Sequence, residues 1–199
     1  LRAVDDMLTE VGQEQLAPEP RMERKRRALL AQARTYYEKF LEQRGDDPGL
    51  RKEAALAHKR LGDISRLLEE YDQALESYDQ AIAMLGQLAA DHPDDAEYRY
   101  QLGVSYDDLG EVRRRTSHPQ EARDAYRRAL ELQEQLAADA PDRPEYRKEL
   151  ARSYDNMGIF LRNTQRPQEA EAAFGKAIAR FSRLAADAPR NPEYRQHLA

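Results

Sequence analysis

Between residues 98 and 137 the apolar positions fall into two stripes. Tyr98, Leu102, Leu109 and Val112 form the first, and Ala122, Tyr126, Ala129, Leu136 and Ala137 the second. Both follow the 3.6-residue period of an amphipathic helix and not the alternation of a strand. The pattern predicts a pair of helices, the second opened by Pro119, since proline suits a first helical turn.

The same pattern recurs along the chain. "QLAADHPDDAEYR" at 87–99 returns as "QLAADAPDRPEYR" at 135–147 and as "RLAADAPRNPEYR" at 183–195. Tyr98, Tyr146 and Tyr194 are 48 residues apart, as are Leu88, Leu136 and Leu184. Gly62, Gly110 and Gly158 keep that step, with Ala74, Ala122 and Ala170, then Tyr78, Tyr126 and Phe174, then Ala81, Ala129 and Ala177. A fixed period of this size marks stacked helical repeats. Punctuation agrees with two helices per repeat. Pro93, Pro141 and Pro189 follow each second helix, and Pro48, Pro144 and Pro192 sit where the next helix begins, with Asp47 or Asn191 placed to cap. Pro167 opens a second helix as Pro119 does. A mid-helix glycine costs about 1 kcal/mol relative to alanine, so three in register predict a helix too close for a Cβ. Ala74, Ala122 and Ala170 are the expected contact surface.

The residues "LG" at 61–62 and 109–110, then alanine at +12, an aromatic at +16 and alanine at +19, resemble the tetratricopeptide repeat. Tyr106 and Tyr154 match its first-helix aromatic, and Leu61, Leu109 and Met157 its residue before the glycine. The likeness runs from about residue 50 to the end. It implies an all-α, right-handed α-solenoid of stacked antiparallel helix pairs. The usual period is 34 residues; the 14 extra residues here, shared as roughly seven per helix, keep the same face inward. Helices near 20 residues, about 30 Å long, are expected, about eight in all counting partial ones. HEAT-like arrays share the period but fit the glycine and alanine positions less well. The expected layout is a single repeat domain over 1–199: a lead-in at 1–45, repeats at 46–93, 94–141 and 142–189, and the start of a further repeat at 190–199. Within the lead-in, 1–16 reads as a partial first helix. The stretch 28–50 reads as the end of a second helix, Leu30, Ala33 and Phe40 aligning with Tyr78, Ala81 and Leu88. The chain starts and stops mid-pattern, and is expected to be a piece of a longer protein.

"AVDDMLTEVG" followed by "MERKRRALLAQARTYYEKFLEQRGDDP" is similar to the segment leading into long-period repeat arrays of large bacterial serine/threonine protein kinases. That resemblance implies a non-catalytic region beside a kinase domain, because no kinase motif is present in the sequence itself. A ligand-sensing regulatory domain of such a kinase is the alternative.

Composition narrows the chemistry. Charged residues make up 35% of the chain with signs interspersed, and the formal net charge is −5. That argues against nucleic acid as a partner, which calls for a basic face. The sequence has no cysteine, excluding disulfides and thiolate metal sites. No apolar run is long enough to span a membrane, and "LRAVDDMLTEV" lacks the apolar core of a signal peptide. The reading favours a cytoplasmic place, a periplasmic one requiring a span elsewhere. His58, His92, His118 and His197 do not pair at ligand spacing; no metal, cofactor or catalytic residue is expected, and the chain is not read as an enzyme. "RMERKRR" at 21–27 is the solvated start of a helix, and the tyrosines at 98, 146 and 194 are packing residues.

The resemblance implies a concave groove lined by first helices. Its groove positions carry over as Lys59, Asp63, Arg66 and Leu67; then Asp107, Glu111, Arg114 and Arg115; then Asp155, Ile159, Arg162 and Asn163. Arg66, Arg114 and Arg162 keep the 48-residue step and suit an acidic peptide or carboxylate, which guanidinium groups grip bidentately. Asp63 and Glu111, three residues earlier, are placed to neutralise two of them; Ile159 leaves Arg162 without such a neighbour. The expected partner is a protein or peptide, with self-association a further outcome.

Overall fold

The computed structural model describes residues 20–44 and 47–188. They form helices α1 (Pro20–Arg44), α2 (Arg51–Leu67), α3 (Tyr71–Asp91), α4 (Ala96–Arg115), α5 (Pro119–Asp139), α6 (Pro144–Asn163) and α7 (Pro167–Asp187), with a 3-10 turn at Pro48–Leu50 before α2. The fold is all-α. Helices α3 to α7 are 20 or 21 residues long, the length the period predicts. α2 is shorter at 17 residues, because the 3-10 turn takes up its first residues. α1 starts ahead of the expected 28–50 stretch and includes the basic run. The expected partial helices at 1–16 and 192–199 lie outside the described residues.

The turns repeat as faithfully as the helices. Asp47 accepts the amide N–H of Gly49, and Asp95 that of Glu97, both at 2.9 Å. Pro119, Pro144 and Pro167 open α5, α6 and α7. At the turn inside each pair the chain swings through the left-handed region at Glu69 (φ 63°), Ser117 (φ 62°) and Gln165 (φ 59°). The next amide then reaches back over the helix end: Glu70 to the Ser65 carbonyl at 2.8 Å, His118 to Arg113 at 2.9 Å and Arg166 to Leu161 at 2.9 Å. This is the Schellman closure, which satisfies carbonyls a helix end leaves open.

The described residues divide into two compact units, one up to residue 84 and one from residue 85. In the first, Leu30, Ala33, Tyr37, Ala57 and Ile64 form the core, with Phe40, Leu61 and Leu67 packed against it. An Arg34–Glu70 ion pair ties α1 to the turn after α2.

In the second unit, α4 lies antiparallel to α5. Arg99 meets Asp139 at one end and Arg113 meets Glu121 at the other, both at 2.9 Å. α6 and α7 are closed likewise by Arg147–Asp187 at 2.6 Å. The two pairs stack through one apolar cluster: Ala122 and Tyr126 from α5, Met157, Phe160 and Leu161 from α6, Ala170 and Ala173 from α7. Such stacking of helix pairs is the α-solenoid arrangement.

The register glycines do mark close approach, but not to the alanines. A Cβ at Gly62 would lie 2.7 Å from the Tyr78 ring, at Gly110 2.8 Å from Tyr126, and at Gly158 2.6 Å from Phe174. The missing methyl makes room for a ring sixteen residues on. Ala74, Ala122 and Ala170 are buried, but they are not what the glycines face.

Candidate functional site

The face predicted to bind is carried by α2 in the first unit and by α4 and α6 in the second. In the first unit, Lys59 is buried and donates from Nζ to Asp63 one turn on, at 3.1 Å. Asp63 also accepts the Tyr78 hydroxyl at 2.9 Å, and that hydroxyl accepts from Arg66 Nε at 3.3 Å. Leu67 packs on the core.

In the second unit Glu111 holds the corresponding place. Arg114 donates to it from Nε and Nη2 at 2.8 and 2.7 Å, Arg115 from Nε at 2.6 Å, and the Tyr126 hydroxyl at 3.3 Å. Partial burial pushes the Glu111 carboxyl up, but the hydrogen bonds from Arg115 and Arg114 outweigh it and hold its pKa below the usual range. The neutralising pair expected from sequence therefore forms at Glu111–Arg114.

The next helix pair breaks this arrangement at both ends together. Where the acid would stand there is Ile159, and where the tyrosine would stand there is Phe174. Acid and hydroxyl thus occur together at Asp63–Tyr78 and Glu111–Tyr126 and are both absent at Ile159–Phe174. Arg162 is left exposed, its guanidinium 5.8 Å above the Phe174 ring, and makes no ion pair among the described residues. Asn163 is exposed at the end of α6, while Asp155 and Ile159 are half-buried.

Asp107 lies beneath this face. It is 1% exposed and sits where α4 meets α6. One carboxylate oxygen accepts from Asn156 Nδ2 at 2.7 Å, with Arg152 Nη2 at 3.7 Å. The other oxygen, Oδ1, is buried without a hydrogen bond. Burial is the main cause that raises its pKa to about 7; Asp108 and Glu149 add to it, against Arg152 and Asn156. Buried Glu149 pairs with Arg152 at 2.8 Å, and the rings of Tyr100 and Tyr146 meet at 5.5 Å. Lys59 in the first unit and Asp107 in the second are thus buried. Arg66 and Arg114 are half-buried, and Arg115, Arg162 and Asn163 exposed.

Repeat reasoning missed Arg152, Asn156, Glu149 and Tyr100. The available signal was departure from the period: Arg152 stands where earlier repeats have Val104 and Leu56, and Asn156 where they have Asp108 and Arg60. Gln133 was missed for the same reason. It is fully buried against Gly103 with neither amide atom bonded, where the next pair has Phe181. Among the described residues no cluster of three or more His, Asp or Glu is placed to hold a metal ion, and no helix is long and apolar enough to cross a membrane.

Tetratricopeptide-repeat family models match residues 52–135 and 150–187. Among solved structures, the chain is similar to BtubC (BKLC) from P. vanneervenii. That match has 18% identity over 96% of this chain and 74% of that one, with a TM-score of 0.64, and it shows the fold. Two further likenesses are to a MamA RS-1 ArsTM double mutant, at 20% identity over 96% and 87% of the two chains with a TM-score of 0.45, and to MamA, at 19% over 86% and 99% with a TM-score of 0.38. No curated protein matches the chain.

Proposed function

We propose that this chain, which carries tetratricopeptide repeats over residues 52–135 and 150–187, is a non-catalytic scaffold holding a segment of a protein partner against the face of its first helices. Such repeats serve as protein-binding surfaces. The observation that carries the reading is the exposed edge of α4 and α6, with Arg114 and Arg115 on one helix and Arg162 on the next. Glu111 already occupies Arg114 and Arg115, so an acidic group on the partner takes Arg162 first and must compete for the other two. Arg115 is the exposed one of the two, and an exposed pair stabilises by only about 0–1 kcal/mol, so it is the weaker barrier to exchange. Asn163 supplies a neutral donor beside Arg162.

The test replaces Arg114 and Arg162 together by glutamate, then compares cross-linked partners from a cell lysate with those of the wild type. Loss of a specific partner with helicity intact supports the reading; an unchanged set refutes it. The proposed setting is a bacterial signalling protein in which this array accompanies a serine/threonine kinase domain. Its support is the lead-in resemblance at "AVDDMLTEVG", and a complete gene product without a kinase domain would overturn it.

A further inference from the structure

A second surface lies on the far side of α6 from α4. There the space between α5 and α7 opens into two clefts of about 640 and 320 Å³. Their floor is apolar, with Ala137 and Leu150 in the larger and Tyr154, Met157 and Leu161 in the smaller. Leu150 and Tyr154 are one helical turn apart, so the clefts are successive stretches of one groove. Lys176 and Arg180 stand between them, 4.8 and 4.7 Å above the Tyr154 ring. Seven basic side chains line the groove against two acidic ones, on a chain whose net charge is −5. Arg147 and Arg166 are held by Asp187 and Glu169. Arg123, Arg127 and Arg183 make no ion pair among the described residues.

The matching surface is on the chain itself. Helix α3 has four acids and no base in 21 residues. Asp72, Glu76 and Asp79 are exposed and share one face at i, i+4 and i+7. Ala83 continues that face, and Gly86 after it has nothing within 4 Å of its Cβ position, so no bulk blocks approach. Half-buried Leu75 and Ile82 border it. Lys176, Arg180 and Arg183 on α7 have the same i, i+4, i+7 spacing. Seven residues cover about 10 Å on either helix, so three acids can meet three bases when the helices lie side by side.

We propose that α3 of a second copy docks along the α5–α7 groove, and that the chain self-associates through this contact. The contact is separate from the first-helix face and does not depend on the reading given for it. It is driven by charge and weakened by salt, because exposed pairs are screened beyond about 10 Å at 0.1 M ionic strength.

The test is sedimentation velocity on the 199-residue chain from about 10 to 500 µM, at low ionic strength and at about 0.5 M salt. Association is expected at low salt and its loss at high salt. A closed dimer and an open, growing series both support the contact; they differ only in whether its rotation closes. Two charge-reversed chains decide it: Lys176→Glu with Arg180→Glu and Arg183→Glu in one, Asp72→Lys with Glu76→Lys in the other. Each alone is expected to associate at least tenfold more weakly. An equimolar mixture regains association, since the reversed signs again oppose. Should a reversal unfold the chain by circular dichroism, Lys176→Gln with Arg180→Gln and Arg183→Gln replaces it, with a smaller loss expected. The proposal fails if the wild type stays monomeric throughout, as it would with the acidic helix of another protein as occupant. It also fails if either reversed chain associates like the wild type, or if the mixture stays monomeric. The Arg114 and Arg162 replacements leave association unchanged, which separates the two faces.

Discussion

Replacing Gly110 by alanine adds one methyl to the middle of α4 and brings two opposed effects. A helix-interior alanine is worth about 1 kcal/mol over glycine. The new carbon, however, would sit 2.8 Å from two atoms of the Tyr126 ring and 3.1 Å from a third. That ring is 1% exposed, is bonded to Glu111 through its hydroxyl and touches Phe160 at 5.7 Å between centroids, so it has little room to yield. Overpacking of a tight core costs about 1–3 kcal/mol. Gly175 on α7 is the control: it is also mid-helix, and nothing lies within 4 Å of its Cβ position. Gly175→Ala is expected to stabilise by about 1 kcal/mol, and Gly110→Ala to fall about 1–3 kcal/mol below it. The propensity gain is common to both and cancels in the difference, which isolates the ring contact. Equilibrium urea denaturation followed by helical circular dichroism measures both. If the two variants are equally stabilised, the ring does not dictate the glycine.

The other predictions concern the turns and the buried polar groups. Ser117→Gly should stabilise by about 0.5–1 kcal/mol, because a non-glycine residue at φ 62° carries left-handed strain of about 1–2 kcal/mol; a loss of stability in urea would count against it. Gln133→Met should stabilise by about 1–2 kcal/mol, since a side chain of similar size replaces an amide buried without partners, and a fall in urea midpoint would refute this. Asp107 has a folded pKa of about 7, raised from its unfolded value near 3.9. Its protonated form therefore favours the fold: its contribution is fully present below about pH 4 and is lost as pH rises through 7. Asp107→Asn should flatten that part of the stability profile and raise stability at pH 8, measured by urea midpoints from pH 4 to 8; parallel profiles would exclude the assignment.

Helix placement could be read from residues whose local physics is self-contained. Proline at 119, 144 and 167 fixes a first turn whatever surrounds it, and a 48-residue step in apolar positions yields helix pairs without further information. Contacts between helices were harder. Gly110 announced a close neighbour, but alanine at +12 and tyrosine at +16 lie one turn apart on the same face, and only packing decides which meets it. Glu69, Ser117 and Gln165 gave no sign of their left-handed backbone, because none is glycine. The Asp107 cluster was hidden for a deeper reason. Its members Arg152 and Asn156 have no counterparts at the repeat step, so a search for what recurs passes over them. Of the predicted binding row, spacing showed which residues share a helix face. It did not show that Glu111 would hold two arginines or that Lys59 and Asp107 would be buried.

The matched presence of tyrosine and acid limits where such an array can be cut and rejoined. Tyr126 finds Glu111 within its own helix pair, and Phe174 faces a pair whose acid is gone. Whole pairs can thus be duplicated, lost or shuffled at the joints near residues 92–95 and 140–143 without parting Tyr126 from Glu111, though an exchange at 140–143 must also keep Asn156 and Arg152 opposite Asp107. A crossover at 116–118 would instead splice Glu111 to a phenylalanine, or Ile159 to a tyrosine. Genetic exchange that leaves a working protein should therefore carry both partners across together, and engineered lengthening of the array should respect the same joints.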